Sequence, residues 1–266
     1  MRNLLLAITM LIAFLIPAPA AFAATAEDWL NLDHVDRGTI GVRYDVRDDV
    51  KTKVMVTKGP DKYTYLLTPG KWEETFPLQM GNGDYTVTLL EQVSGSKYKV
   101  VREAAVTLDM DNDANVYLNP VQNVNWSETS RAAAIAKELT KTAATDMEKV
   151  RAIYEYVTGT IRYDETLAAN VPADYIPDID RTVALEKDIC YGYAALFAAM
   201  LRSVDIPAKL VMGTTDYVDV YHAWNEVYYD GAWTTIDTTV DAGWKENGKT
   251  FEMTKDATRY AAAKYY

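Results

Sequence analysis

The chain has 266 residues, 49% of them hydrophobic, enough to pack a core in one large domain or two ordinary ones, which excludes global disorder. A formal net charge of −11 leaves no basic footprint of the kind nucleic-acid binders carry. A single cysteine excludes an internal disulfide, and with only two histidines and no cluster around them it argues against a structural zinc site.

The first residues read as a secretory signal peptide over 1–23. Arg2 gives a positive start, Leu4 to Ile16 is almost wholly apolar, and Ala21 and Ala23 flank Phe22 as a small-x-small cleavage site. The apolar run is short for a membrane span, so the expectation is an exported soluble protein, secreted or held at the cell envelope, beginning near Ala24. Removing 1–23 takes away one arginine and no acid, leaving 26 basic and 38 acidic residues. No membrane span is expected after signal removal.

Residues 24–38 look like a leader, with Asp28, Trp29 and Leu30 as a docking segment. From Gly38 to about Leu118 the period is that of strands. Ile40, Val42, Tyr44 and Val46 alternate with other residues, as do Val54 and Val56, Tyr63 and Tyr65, and Tyr85, Val87 and Leu89. Tyr98 and Val100, then Val106 and Leu108, predict two more strands. Turn residues fall between them at Gly59-Pro60, Pro69-Gly70, Gly81 to Gly83 and Gly95. Six or seven short strands at this spacing predict a small β-sandwich over 24–120. It holds no constellation of catalytic residues, and His34 reads as a surface residue. Asp109 to Asp113 resembles the opening of a calcium loop, but Ala114 and Pro120 stand where glycine and a bidentate glutamate are needed. Asn119 to Asn125 reads as a linker.

After Trp126 the period becomes helical. Ser127 is a candidate cap for a helix carrying Ile135 and Leu139. Thr145 with Glu148 fits a capping box, and Met147, Val150, Ile153, Tyr154 and Val157 follow at helical spacing. Ile161 to Asp164 reads as a short extended piece, and 165–187 as an irregular loop. Asp188 is a good N-cap, which places Cys190 in the first turn of a helix that is apolar from Tyr193 to Leu201. Free N–H groups and the positive end of the helix dipole favour a thiolate there and could bind an oxyanion. Asp188, a like charge, opposes that effect. Gly192 would let backbone or substrate approach closely.

Ala208 to Gly213 reads as a strand, and Asp230-Gly231 as a two-residue hairpin turn. That turn sets Tyr229 opposite Ala232, Trp224 opposite Asp237 and His222 opposite Thr239. His222 and Asp237 are then diagonal neighbours on one face, about 7–8 Å apart at the backbone. A carboxylate so placed can fix the imidazole's tautomer, leaving the other ring nitrogen for the Cys190 proton.

The ordered set Cys190, Gly192, Tyr193 and Ala194, then Arg202, Ile206-Pro207, Gly213, His222-Ala223-Trp224 and Asp237-Thr238 resembles the transglutaminase-like superfamily. The resemblance covers about residues 128–240 and is silent on the β-rich half. It implies an α+β, papain-like core of helices packed on an antiparallel sheet, occupying 126–266. It also implies Cys190 as nucleophile, His222 as base and acid, and Asp237 as orienting residue, with Trp224 and Tyr193 lining a cleft. Two departures are Asp188, where the family often has glycine, and Thr238, where it often has proline. No cofactor, metal site or dedicated calcium site is called for. The expected activity is acyl transfer on amide bonds of a protein or peptide substrate, cell-wall peptide among the candidates, by crosslinking or hydrolysis. Two rivals stand beside it. In one the β-rich half binds envelope material while an inactive core serves as scaffold. In the other the lone thiol is an intermolecular disulfide or redox handle.

Overall fold

The computed structural model describes residues 28–266, so the signal-peptide reading lies outside the described residues. Alternation of buried and exposed side chains builds the N-terminal half. Strands β1 (Leu30–Asn31), β2 (Thr39–Arg43), β3 (Thr52–Lys58), β4 (Asp61–Leu66), β5 (Glu73–Pro77), β6 (Gly83–Ser94) and β7 (Lys97–Leu108) form two antiparallel sheets. Their orders are β1-β2-β5 and β4-β3-β6-β7. The two sheets close over one core in which Val54, Val56, Phe76, Leu78, Tyr85, Val87 and Leu89 are buried, which is the sandwich the alternation predicts. Trp29 and Leu30 are buried in it, so the leader does dock. Residues 97–108 form one long strand instead of two short ones, because a register shift at Leu89/Leu90 absorbs the irregularity without ending the ladder.

The segment Asn119 to Asn125 is held to both halves, with Val121 and Val124 packed in the core of the helical one. Gln122 donates to Glu74 at 2.9 Å and its backbone N–H to Thr75, while Val121 and Val124 are buried.

Beyond it lie α1 (Arg131–Thr140), α2 (Asp146–Thr160), β8 (Arg162–Tyr163), α3 (Glu165–Ala169), α4 (Ile179–Leu185) and β9 (Lys187–Asp188). Then follow α5 (Cys190–Arg202), β10 (Ala208–Thr215), β11 (Val218–Tyr229), β12 (Ala232–Ile236), α6 (Thr238–Glu246) and β13 (Tyr260–Tyr265). Ser130, not Ser127, caps α1. The Thr145–Glu148 capping box starts α2 as its sequence requires. Residues 165–187 are not irregular: they carry α3 and α4, capped by Asp164 and Asp178. Both helices are too short for periodicity to reveal.

Helix α5 is the axis of this half. All its residues from Gly192 to Arg202 are buried, between the other helices and a four-stranded antiparallel sheet of order β12-β11-β10-β13. Antiparallel sheets with segregated helices make the architecture α+β. Arg202, at the end of α5, is buried with no Asp or Glu side chain paired to it among the described residues. Its guanidinium donates to backbone oxygens of Ala208, Asn119 and Tyr266 at 2.7–3.0 Å, and burial pulls its pKa down to about 9. It thereby ties the helix to the segment after the sandwich and to the edge strand. Strand β13 also reaches the sandwich, where the Tyr265 N–H donates to the Tyr63 hydroxyl at 3.2 Å.

Candidate active site

Three pieces of local structure converge. The first is the start of α5. Asp188 does not cap this helix; Ile189 occupies the cap position with no side-chain bond, and Cys190 is the first helical residue. The Asp188 carboxylate, fully buried, accepts from the Tyr175 hydroxyl at 2.6 Å, the Thr182 hydroxyl at 2.6 Å and the Ile189 N–H at 2.8 Å, with Arg181 3.9 Å away. That network explains Gly192. A Cβ there would lie 2.1 Å from the Asp188 Cγ, so the space is filled by this carboxylate and not by substrate. The first bond inside the helix runs from the Tyr193 N–H to the Ile189 carbonyl, which leaves the N–H groups of Cys190, Tyr191 and Gly192 ahead of the ladder. Cys190 itself is a free, half-buried thiol.

The second piece is the β11–β12 hairpin. Asp230 and Gly231 both have positive φ, 52° and 79°, as a two-residue type I′ turn requires. Tyr229 pairs with Ala232 and the ladder runs to Asn225 opposite Ile236, which is the register the turn predicts. The ladder stops one pair short of Trp224 and Asp237 because Asp237 leaves the strand to cap α6, accepting from the Val240 N–H at 3.0 Å. Its other oxygen, Oδ2, accepts from His222 Nε2 at 2.8 Å. Nε2 is therefore the protonated nitrogen of the neutral ring and Nδ1 is the free one. Asn225 fixes the hairpin against α5 by donating to the Ala194 carbonyl at 2.9 Å.

Burial disfavours the imidazolium. Hydrogen bonding to Asp237 and to the Cys190 thiol, with their negative charge, outweighs it and pushes His222 up to about 10. His222 and Asp237, 15 residues apart in the sequence, are thus joined directly, and Cys190, 32 residues before the histidine, lies near enough to raise the imidazole further.

The third piece is the strand β13, which the sequence reading did not place at the site. Tyr260 donates to Asp237 Oδ2 at 3.0 Å, and its ring packs on Trp224 with centroids 4.9 Å apart. Burial, then the Asp237 charge, holds the Tyr260 phenol well above its usual range, so it remains a donor. Only contact order hides this residue: it lies 23 positions beyond Asp237 in a tail with no sequence signature.

A cleft of about 380 Å³ opens beside His222, walled by Tyr163, Tyr193, Tyr217 and Trp244 with Glu165 at its edge. Tyr193 is one of its walls, its hydroxyl anchored to the Ile161 carbonyl at 2.6 Å. Trp224 is not. It is 1% exposed and stacks behind the imidazole, ring centroids 6.4 Å apart, so it backs the histidine and leaves the cleft wall to others.

Residues 133–238 match the model of the transglutaminase-like superfamily. The Kyphoscoliosis peptidase of Homo sapiens is 30% identical over 119 residues, 41% of this chain and 18% of that protein. The protein YebA of Bacillus subtilis is 25% identical over 204 residues, 68% of this chain and 27% of that one. This chain therefore spans well under a third of either relative's length. Among solved structures, a candidate cysteine protease from Cytophaga hutchinsonii aligns at 16% identity, over 86% of this chain and 83% of that one, with a TM-score of 0.43.

Proposed function

We propose that the chain is a cysteine acyl-transfer enzyme acting on amide bonds of a protein or peptide, with Cys190 as nucleophile, His222 as base and acid, and Asp237 as orienting carboxylate. The observation that carries this reading is the buried His222–Asp237 bond, which leaves Nδ1 as the only ring nitrogen available to the thiol at the mouth of α5. A histidine serving only as core would not need a free nitrogen beside the chain's one cysteine. The name of the human relative, a peptidase, supports the same bond class.

The steps follow from that geometry. The Cys190 Sγ–H proton passes to His222 Nδ1, and the thiolate attacks the amide carbon to form a C–S bond. Negative charge gathers on the carbonyl oxygen, where the free N–H groups of the first turn of α5 can donate to it. The C–N bond breaks as Nδ1 returns the proton to the departing amine or ammonia, leaving a thioester. Water or a second amine then attacks, its proton goes to Nδ1, and the C–S bond breaks with reprotonation of sulfur. Through both halves Asp237 holds the ring in one tautomer and stabilises the transient imidazolium. Export through residues 1–23 belongs to this proposal, and would deliver the site to an oxidising compartment where a lone thiol finds no intramolecular partner.

The test is trapping the thioester. Protein incubated with peptide amides and quenched in acid should show by intact mass an acyl adduct on Cys190 that hydroxylamine removes, and Cys190→Ala should show none. An absent adduct, with ordinary iodoacetamide reactivity in both wild type and His222→Ala, would overturn the reading in favour of an inactive scaffold.

A further inference from the structure

Trp72 is 69% exposed, the most exposed large hydrophobic side chain among the described residues. It does not sit on a loose loop. The turn between β4 and β5 is held from beneath by Glu74, whose carboxylate accepts from the Thr68 N–H at 2.6 Å and the Thr68 hydroxyl at 3.2 Å. Gln122 donates to the same carboxylate at 2.9 Å. An indole fixed in water on a rigid turn is a surface kept for contact.

Beside it lies a shallow groove of about 560 Å³, bounded by Trp72, Tyr44, Arg43, Arg102, Asp28 and Asp45. Its walls are set in place: Arg43 Nε donates to Glu73 at 2.7 Å and the Tyr44 hydroxyl to Glu91 at 2.8 Å. Arginines and aspartates line it together, with Arg43 also paired to Glu73, so the groove offers both donors and acceptors and no positive field. That balance decides against several ligands. A nucleic acid needs a net positive footprint, and this chain carries −11. A lipid surface needs a contiguous apolar patch, and four of the seven residues lining this groove are charged. A peptide added as a strand needs a free sheet edge. Here β1 is two residues long, and the Thr75 carbonyl of β5 already accepts from the Gln122 N–H.

The remaining chemistry is an uncharged molecule with one flat apolar face and a rim of hydroxyls. We propose that the Trp72 groove is a glycan-binding site taking a pyranose chain with equatorial substituents. The axial C–H groups of one ring lie on the indole. The carboxylates of Asp28 and Asp45 accept from hydroxyls, and the guanidiniums of Arg43 and Arg102 donate to hydroxyl and ring oxygens. The site lies on the sandwich and needs nothing from Cys190, so it stands whether or not the acyl-transfer reading does.

The test is calorimetric titration of the full chain carrying Cys190→Ala with chitohexaose and with cellohexaose, both equatorially linked. Saturable binding to at least one is expected. Trp72→Ala should weaken it at least tenfold, Trp72→Phe should recover part of the loss, and Arg102→Ala should weaken it severalfold, with melting temperatures unchanged because these side chains hold no core. The proposal is overturned if neither hexasaccharide binds, or if Trp72→Ala binds equally well. It is also overturned if a proline-rich peptide binds through Trp72 while both glycans do not.

Discussion

Replacing Asp237 with asparagine tests the chemistry at its most sensitive point. His222 is pushed up to about 10 from its ordinary 6.5, despite burial that acts in the opposite sense. The net effect favours the imidazolium and is shared between Asp237 and the Cys190 thiol. Asparagine removes the carboxylate's share and releases the tautomer, so that Nδ1 can carry the proton and face the thiol as a donor. Loss of the corresponding carboxylate in a serine triad costs about 10⁴ in kcat. The expected fall in kcat/KM here is roughly 10³–10⁴, or about 4–5.5 kcal/mol of transition-state stabilisation. Folding should survive, because asparagine caps helices about as well as aspartate and can still accept from the Val240 N–H. The assay is the pH dependence of iodoacetamide alkylation, read by intact mass, beside peptide-amide turnover and a thermal melt. The mutant thiol should alkylate more slowly than wild type at neutral pH. An alkylation profile identical to wild type, in a protein that melts normally, would refute the coupling of Asp237 through His222 to Cys190.

Three further outcomes are expected. Tyr260→Phe keeps the ring on Trp224 but removes one of the three hydrogen bonds to Asp237; kcat should fall about tenfold with KM nearly unchanged, and an unchanged kcat would show the hydroxyl to be idle. Because His222 is raised in the folded state, its stabilising contribution is complete below about pH 6.5 and disappears as pH rises through about 10. Wild-type melting temperature should therefore drop across that window while His222→Gln stays nearly flat, and parallel curves would contradict the shift. Gly192→Ala places a Cβ 2.1 Å from the Asp188 Cγ in a site with no slack, so stability should fall by about 2–4 kcal/mol and melting by roughly 5–15 °C in a thermal scan; an unchanged melt would mean that the Asp188 network is pliable.

Where short-range physics decides, the chain is readable from its residues. The capping box at Thr145, the alternation of Val54 and Val56, and the apolar run of α5 are local patterns, and each produces the element it predicts. The Asp230-Gly231 turn does more, because a two-residue loop transmits its register along both strands. His222 and Asp237 could be placed together from 15 residues of sequence for that reason.

Other features depend on which distant elements meet. Asp188 has a good capping residue's chemistry, yet its side chain is claimed by Tyr175 and Thr182, from a segment whose short helices leave no periodic trace. Trp224 shares a face with His222, as alternation requires, but Tyr260 arriving on β13 turns that face into an interior and seals the indole behind the imidazole. Local propensity and strand period thus determined the elements, the hairpin register and the candidate thiol–imidazole–carboxylate set. Tertiary structure alone decided the third hydrogen bond to Asp237, the carboxylate beneath Gly192, and which aromatic rings face the cleft, because those depend on contacts between segments with no sequence periodicity in common.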